Sequence, residues 1–183
     1  MADRPDVREQ LVEGALRLIS AEGPADLSVR RLAQSGNRST MCVYTKFTSR
    51  QGLLQAVYER AAGELLARLA ETDGTTALAA AYREAAEAAP GLYSFLFEHS
   101  MAALELPNSL RATLIDDVCE LIRRADDSDP DSATALWATM HGLVALQQSA
   151  AAPSPSWPKR YLALVGLSRG ALPSASPRSR SGA

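Results

Sequence analysis

The chain has 183 residues, enough for a sizeable core. Apolar residues make up 46% of it and aromatics only 5%, and the dominance of Ala and Leu favours packed helices over sheets. Its formal net charge of -2 does not mark the chain as a whole as polyanion-binding, and no run of about 18 apolar residues offers a membrane span.

Met1 to Asp6 carries acids and no apolar core, so no signal peptide is expected, and the compartment expected is the cytoplasm. Cys42 and Cys119 fall in parts of the chain assigned to different units, which argues against a structural disulfide. A first helix is predicted from about Pro5 to Glu22, with Val7, Leu11, Ala15, Leu18 and Ile19 as its apolar stripe and Gly23-Pro24 as its stop. Ser28 is placed to cap a second helix that turns Val29, Leu32 and Ala33 inward and Arg30, Arg31 and Gln34 outward.

The stretch from Leu32 to Phe47 reads as a helix, a tight turn and a second short helix. Gly36-Asn37 supplies the reversal, Ser39 is suited to N-capping, and Val43 and Phe47 lie four apart on one buried face. Such a unit presents the start of its second helix to the DNA major groove, which makes Thr40, Met41 and Tyr44 candidate readers. The charge distribution agrees: from Leu27 to Tyr58 there is no acidic residue, but Arg30, Arg31, Arg38, Lys46 and Arg50 are present. A solvated basic face would show the same run.

A fourth helix is predicted from near Ser49 to Glu71, with Leu53, Leu54, Val57, Tyr58, Ala61, Leu65, Leu66 and Leu69 on its apolar side. At about 1.5 Å per residue it spans roughly 34 Å, enough to join a small head to a separate body. Further helices are expected at about 75–89, 91–101, 109–125, 132–151 and 159–172, punctuated by Pro90-Gly91, Pro107-Asn108 and the acidic stretch 126–130. The segment 152–158 reads as a stiff Pro/Ser linker and 173–183 as a disordered tail. The fold class expected is all-α, about nine helices. The division expected is a helix-turn-helix head (1–50, its long linking helix continuing to about 71), a ligand-binding and dimerisation body (51–172) and the tail.

The first 70 residues resemble the DNA-binding head of TetR-family transcriptional regulators. Members typically show an apolar residue with Ala, a turn, Ser, an aliphatic-Tyr pair, His-Phe, and a Ser-Lys-Glu helix start leading to Leu. The corresponding residues here are Leu32-Ala33, Ser39, Val43-Tyr44, Lys46-Phe47, Ser49-Arg50-Gln51 and Leu53. Asn37 stands where the family usually has Gly, Arg38 replaces an apolar residue, and Met41 replaces a small one. In the second half, Trp137 to Leu143, with His141-Gly142, resembles the Trp…His-Gly subgroup, as do Ala81-Tyr82-Arg83 and Ala89-Pro90-Gly91-Leu92-Tyr93.

The resemblance implies that Ser28, Tyr44, Lys46 and Arg50 contact phosphates, while Ser39, Thr40, Met41 and Thr45 lie nearest base edges. Arg38 could reach a phosphate or a guanine, or stand as a plain surface charge. Tyr82, Tyr93, Phe97, Met101, Leu104, Leu114, Val118, Trp137 and Met140 could line a ligand cavity, with His141 beside them, although such a stripe also describes plain core. The scarcity of polar groups there points to an apolar or aromatic ligand. Leu136, Leu143, Leu146, Leu162, Val165 and Leu167 offer apolar surface for pairing the last two helices across a twofold, some of it shared with the monomer's own core.

No metal site is expected, because His99 and His141 lack the spacing and carboxylate company of a ligand set. No cofactor is expected, and no catalytic constellation or Gly-rich phosphate loop can be read. The family implies a one-component bacterial repressor, not an enzyme, that binds a palindromic operator as a homodimer and is released by a small ligand. The alternative left open is a helical small-molecule binding protein or enzyme with a vestigial head.

Overall fold

The computed structural model describes residues 6–149 and 156–171, and every element among them is helical. The elements are α1 (Val7–Glu22), α2 (Val29–Ser35), α3 (Thr40–Phe47), α4 (Arg50–Ala70), α5 (Gly74–Ala88), α6 (Pro90–Tyr93), a π-helical segment (Ser94–Glu98), α7 (Met101–Leu104), α8 (Asn108–Asp126), α9 (Pro130–Ser149) and α10 (Trp157–Ala171). No helix among the described residues is long and apolar enough to cross a membrane.

The head is a three-helix unit whose stripes meet in one core. Leu11, Ala15 and Ile19 of α1, Leu32 and Ala33 of α2, Val43 and Phe47 of α3, and Leu53, Leu54 and Val57 of α4 are all buried. Val12 and Leu16 widen the stripe of α1 beyond the expected residues, whereas Val7 and Leu18 are only partly buried. The two predicted serine caps that hold are Ser28, which accepts from the Arg31 amide at 3.4 Å, and Ser49, which accepts from the Gly52 amide at 3.0 Å. Each satisfies a donor that the first helical turn leaves orphaned.

Four boundaries differ from expectation. The single helix expected over 91–101 is instead α6, the π turn and, after a break at His99-Ser100, α7. Phe95, Leu96 and Phe97 are all buried, and three consecutive apolar residues cannot share one face of a regular α-helix. The wider turn, closed by His99 N–H donating to the Ser94 carbonyl at 2.7 Å, re-registers them. Ser100 then caps α7 through the Ala103 amide at 3.3 Å, and Glu105 ends it with φ 61.

Trp157 and Pro158, expected in the linker, belong to the first turn of α10, where proline's missing donor costs nothing. Asn108 and Pro130-Asp131 likewise extend α8 and α9 slightly beyond their expected starts. The rest of the linker, the tail and the expected helix start at Pro5 lie outside the described residues.

The body packs α4, α5, α8, α9 and α10 around Leu78, Tyr82, Phe95, Leu114, Val118, Ile122, Trp137, Met140, Tyr161 and Val165. Head and body meet where α6 abuts the C-terminus of α1. A Cβ placed on Gly91 would lie 2.0 Å from the Ile19 carbonyl oxygen and 3.0 Å from both the Ser20 carbonyl oxygen and the Gly23 nitrogen, so only glycine permits this approach.

Candidate nucleic-acid interface and body cavity

The turn between α2 and α3 is built on close backbone contact. A Cβ at Gly36 would fall 2.9 Å from the Gln10 carbonyl oxygen, and one at Gly14 would fall 2.4 Å from the Gly36 nitrogen. Gly36 itself has φ -87, so its need is for space, and the left-handed residue is Asn37, with φ 55. Arg38 N–H donates to the Ala33 carbonyl at 2.9 Å and locks the reversal.

The face that results has Ser39, Thr40, Met41, Tyr44, Thr45 and Lys46 exposed on one side, with Val43 and Phe47 buried on the other. Met41 is 69% exposed and Tyr44 52%, so two large side chains stand in solvent on the same short helix. Ser39 takes the N-cap position with φ -81 and ψ 158, but its side chain makes no capping bond and lies 3.6 Å from the Cys42 sulfur. Thr45 is exposed, and its Oγ1 donates to the Met41 carbonyl at 2.8 Å. Lys46 sits 3.6 Å from Asp6 and Arg38 Nε donates to Gln10 at 2.7 Å, so both cations lean on α1 or the residue before it.

The acid-free window of the sequence is not acid-free in space. Arg31 is paired with Glu22 at 2.5 Å and Asp26 at 3.2 Å, and hydrogen bonding to Glu22 first, with its charge and that of Asp26, raises the guanidinium pKa. Arg50, expected on a phosphate, turns inward instead: Nε donates to the Leu27 carbonyl at 2.7 Å, and the group faces Glu105 at 3.4 Å. Acceptors from the α1–α2 loop and from the far turn after α7 outcompete solvent for it.

The body holds a cavity of about 190 Å³ between α4, α5, α6 and the π turn. Of the expected pocket residues, Tyr82, Tyr93 and Phe97 line it. Trp137 and His141 stand in the same aromatic cluster, their rings stacked at 5.1 Å, but do not line the cavity. Met101, Leu104, Leu114, Val118 and Met140 are buried without lining it and belong to the core. The wall not foreseen comes from Ala61 and Leu65 of α4 and from Ala85, Ala86 and Ala89, whose small side chains leave the space. The run of alanines opposite an aromatic stretch was the readable signal.

Both tyrosine hydroxyls reach His141 Nδ1, Tyr82 at 2.9 Å and Tyr93 at 3.1 Å. Burial holds the imidazole below its usual pKa, with the Arg111 charge adding to the effect, and burial pushes both phenols up. The cluster is therefore neutral near pH 7. Glu64 and Arg68 of α4 are the charged members of the cavity wall. No group of histidine, cysteine and acidic side chains suited to a metal occurs among the described residues.

On α9 and α10, Leu146 and Leu167 are 62% and 69% exposed, and Leu143 and Leu162 are partly buried. Leu136 and Val165 are each only 2% exposed, so these two expected interface residues serve the monomer's own core. Cys42 and Cys119 are free, as expected.

A helix-turn-helix head carried on a helical body is the architecture of a DNA-binding transcriptional regulator. Residues 75–165 match the family of tetracyclin repressor-like C-terminal domains. On that match the body is a tetracyclin repressor-like C-terminal domain, and the chain as a whole has the fold of TetR-family transcriptional regulators. It shares its fold with SCO7518 from Streptomyces coelicolor A3(2), at 23% identity and TM-score 0.69, over 90% of this chain and 99% of that one. The multidrug binding protein EbrR, crystallised with imidazole, is similar at 21% identity and TM-score 0.67, over 97% and 99%. RolR in complex with resorcinol is similar at 17% identity and TM-score 0.54, over 93% and 95%. No curated protein sequence matches the chain.

Proposed function

We propose that this regulator is a repressor that binds palindromic operator DNA as a homodimer through α3 and is released by a small, mostly apolar ligand held in the body. The observation that carries the reading is the exposed face of α3, where Met41 and Tyr44 stand in solvent beside Ser39, Thr40 and Thr45. These are groups that contact thymine methyls, base edges and phosphates. Ser28, Tyr44 and Lys46 hold the backbone, Arg38 stands beside the groove, and Ser39, Thr40, Met41 and Thr45 read bases. Two heads at roughly 34 Å, one DNA turn, define the operator half-site spacing. The head comprises residues 1–50, and the body, 51–172, carries the cavity and the pairing surface.

The homodimer reading is supported by the exposed leucines of α9 and α10 and by Gly142 and Gly166, where a Cβ would meet nothing within 4 Å. A second copy can approach closely there. The ligand reading is supported by an aromatic wall and one neutral phenol–imidazole cluster. A monocyclic aromatic with a hydroxyl or ring nitrogen fits that chemistry and volume. Resorcinol in RolR and imidazole with EbrR are of the same type. The ligand acts by favouring a body arrangement in which α4 swings and the heads lose their spacing. A coupling of about 1–3 kcal/mol changes operator affinity roughly 5- to 150-fold.

Selection of bound sequences from random DNA by the purified dimer tests the reading. A palindrome with half-sites about one turn apart, bound with a steep salt dependence, is the expected result. Enrichment of no sequence would sink it.

A further inference from the structure

Arg50 opens α4 at the DNA-facing end of the head, yet its guanidinium points into the protein. Nε donates to the Leu27 carbonyl at 2.7 Å, and one terminal nitrogen reaches the Leu104 carbonyl at 3.5 Å and the Glu105 carboxylate at 3.4 Å. The side chain is only 23% exposed. One planar fork thus ties the entry to α2, the start of α4 and the turn after α7, a geometry that the single point charge of lysine would not reproduce. Glu105 ends α7 in a left-handed backbone, φ 61, that non-glycine residues seldom adopt.

The segment that Arg50 grips is continuous with the cavity wall. Leu96 and Phe97 line the cavity. The Leu96 carbonyl is held by the Tyr58 hydroxyl at 3.0 Å and by Arg111 Nε at 2.8 Å, and Arg111 also donates to the His99 carbonyl at 2.7 Å. Those bonds fix the π turn, and α7 with its terminal Leu104-Glu105 follows directly.

We propose that Arg50 is a positioning residue: it clasps the reading head to the α7 turn, and it supports operator binding by holding the head's orientation rather than by touching a phosphate. This rests on the reading of the chain as an operator-binding dimer. A guanidinium already committed to Leu27, Leu104 and Glu105 is not available to DNA unless the clasp opens, and an open clasp leaves the two heads to be ordered at the moment of binding.

The test uses the full-length protein and the selected operator, with affinity measured as a function of salt for wild type, Arg50→Ala, Glu105→Gln and Lys46→Ala. The clasp is expected to make Arg50→Ala about tenfold and Glu105→Gln about threefold weaker, both with the wild-type salt slope, whereas Lys46→Ala lowers the slope by about one. Glu105→Gln is the decisive variant. It keeps the size of a side chain that is 66% exposed, and removing a negative charge would by simple electrostatics tighten DNA binding. A slope lowered by about one in Arg50→Ala, or wild-type or tighter affinity in Glu105→Gln, overturns the proposal. If wild type selects no DNA at all, the operator reading fails, and amide exchange in the free proteins decides the clasp. Faster exchange at Arg31 and Leu32, whose amides bond Ser28, in Glu105→Gln sustains it, and unchanged exchange refutes it.

Discussion

Gly91→Ala is the sharpest single perturbation of the head–body joint. The added Cβ would sit 2.0 Å from the Ile19 carbonyl oxygen, so even a tight 3.0 Å approach requires the backbones of α6 and α1 to part by about 1 Å. The obstructing atoms are backbone at the C-terminus of α1, and no rotamer change can clear them. Pro90 fixes the start of α6 and limits its freedom to turn aside. Overpacking of this kind costs about 1–3 kcal/mol, and the upper end applies because nothing flexible yields. For a chain of this length each kcal/mol moves the midpoint by about 2–4 °C, so calorimetry should show a loss of about 6–12 °C. Gly63→Ala is the control: it lies in mid-α4 with nothing within 4 Å of its Cβ position, and the same substitution should stabilise by about 0.5–1 kcal/mol. A Gly91→Ala midpoint within a degree or two of wild type would show that α6 does not rest on α1 this closely.

On DNA, Tyr44→Ala and Lys46→Ala should weaken binding to all sequences, and Lys46→Ala, which removes a cation, should also flatten the salt dependence, while Met41→Ala should chiefly change which sequences are selected; equal loss of specificity from all three would refute the division of roles. The pH dependence of stability follows from His141, whose folded pKa lies below the ordinary value of about 6.5. The unfolded chain takes up the proton first on acidification, so this contribution is complete above about pH 6.5 and is lost as pH falls toward the folded value. Melting followed from pH 7.5 to 5.5 should show a decline that His141→Phe removes, and an identical decline in the variant would place the cause elsewhere. Leu146→Glu with Leu167→Glu should yield monomers in sedimentation, because both side chains are solvent-facing in one subunit; a dimer surviving both charges would move the interface off this face.

The head was the more legible part because its signals are local. Ser28 and Ser49 cap the helices they precede, Val43 and Phe47 mark an inward face, and the left-handed turn residue falls on an asparagine. Ser39 shows the limit of such reading: the position is right for a cap, but the hydroxyl turns to Cys42. The inward contacts of Arg50 were not legible for a different reason, since Leu104 and Glu105, two of the groups it meets, come from more than 50 residues away. Acids outside the window also reach its cations: Glu22 and Asp26, just before it, pair with Arg31, and Asp6, well upstream, faces Lys46. In the body, the resemblance around Tyr82, Tyr93, Trp137 and His141 pointed to residues that do meet in one aromatic cluster with Phe97, but neither it nor their spacing could separate cavity wall from core. The empty space depends on which small residues face it, and Ala85, Ala86 and Ala89 do so from the end of α5 and the residue after it.

The placement of the two head–body joints gives the cavity leverage. Gly91 touches α1 at one end of the wall formed by α6 and the π turn, and the Leu104-Glu105 turn meets Arg50 beyond the other end. Between them, the Leu96 carbonyl is pinned by Tyr58 and Arg111. A ligand that displaces Leu92 or Leu96 acts on a segment whose two ends press on the C-terminus of α1 and grip the N-terminus of α4, the two helices that frame the reading unit. The required energy is small. A partly exposed ion pair contributes about 0–1 kcal/mol, and a hydrogen bond from a charged group about 1.5–3 kcal/mol. Releasing the Arg50 clasp therefore supplies a change of the same size as the 1–3 kcal/mol or so that a switch in operator affinity needs, without unfolding any helix.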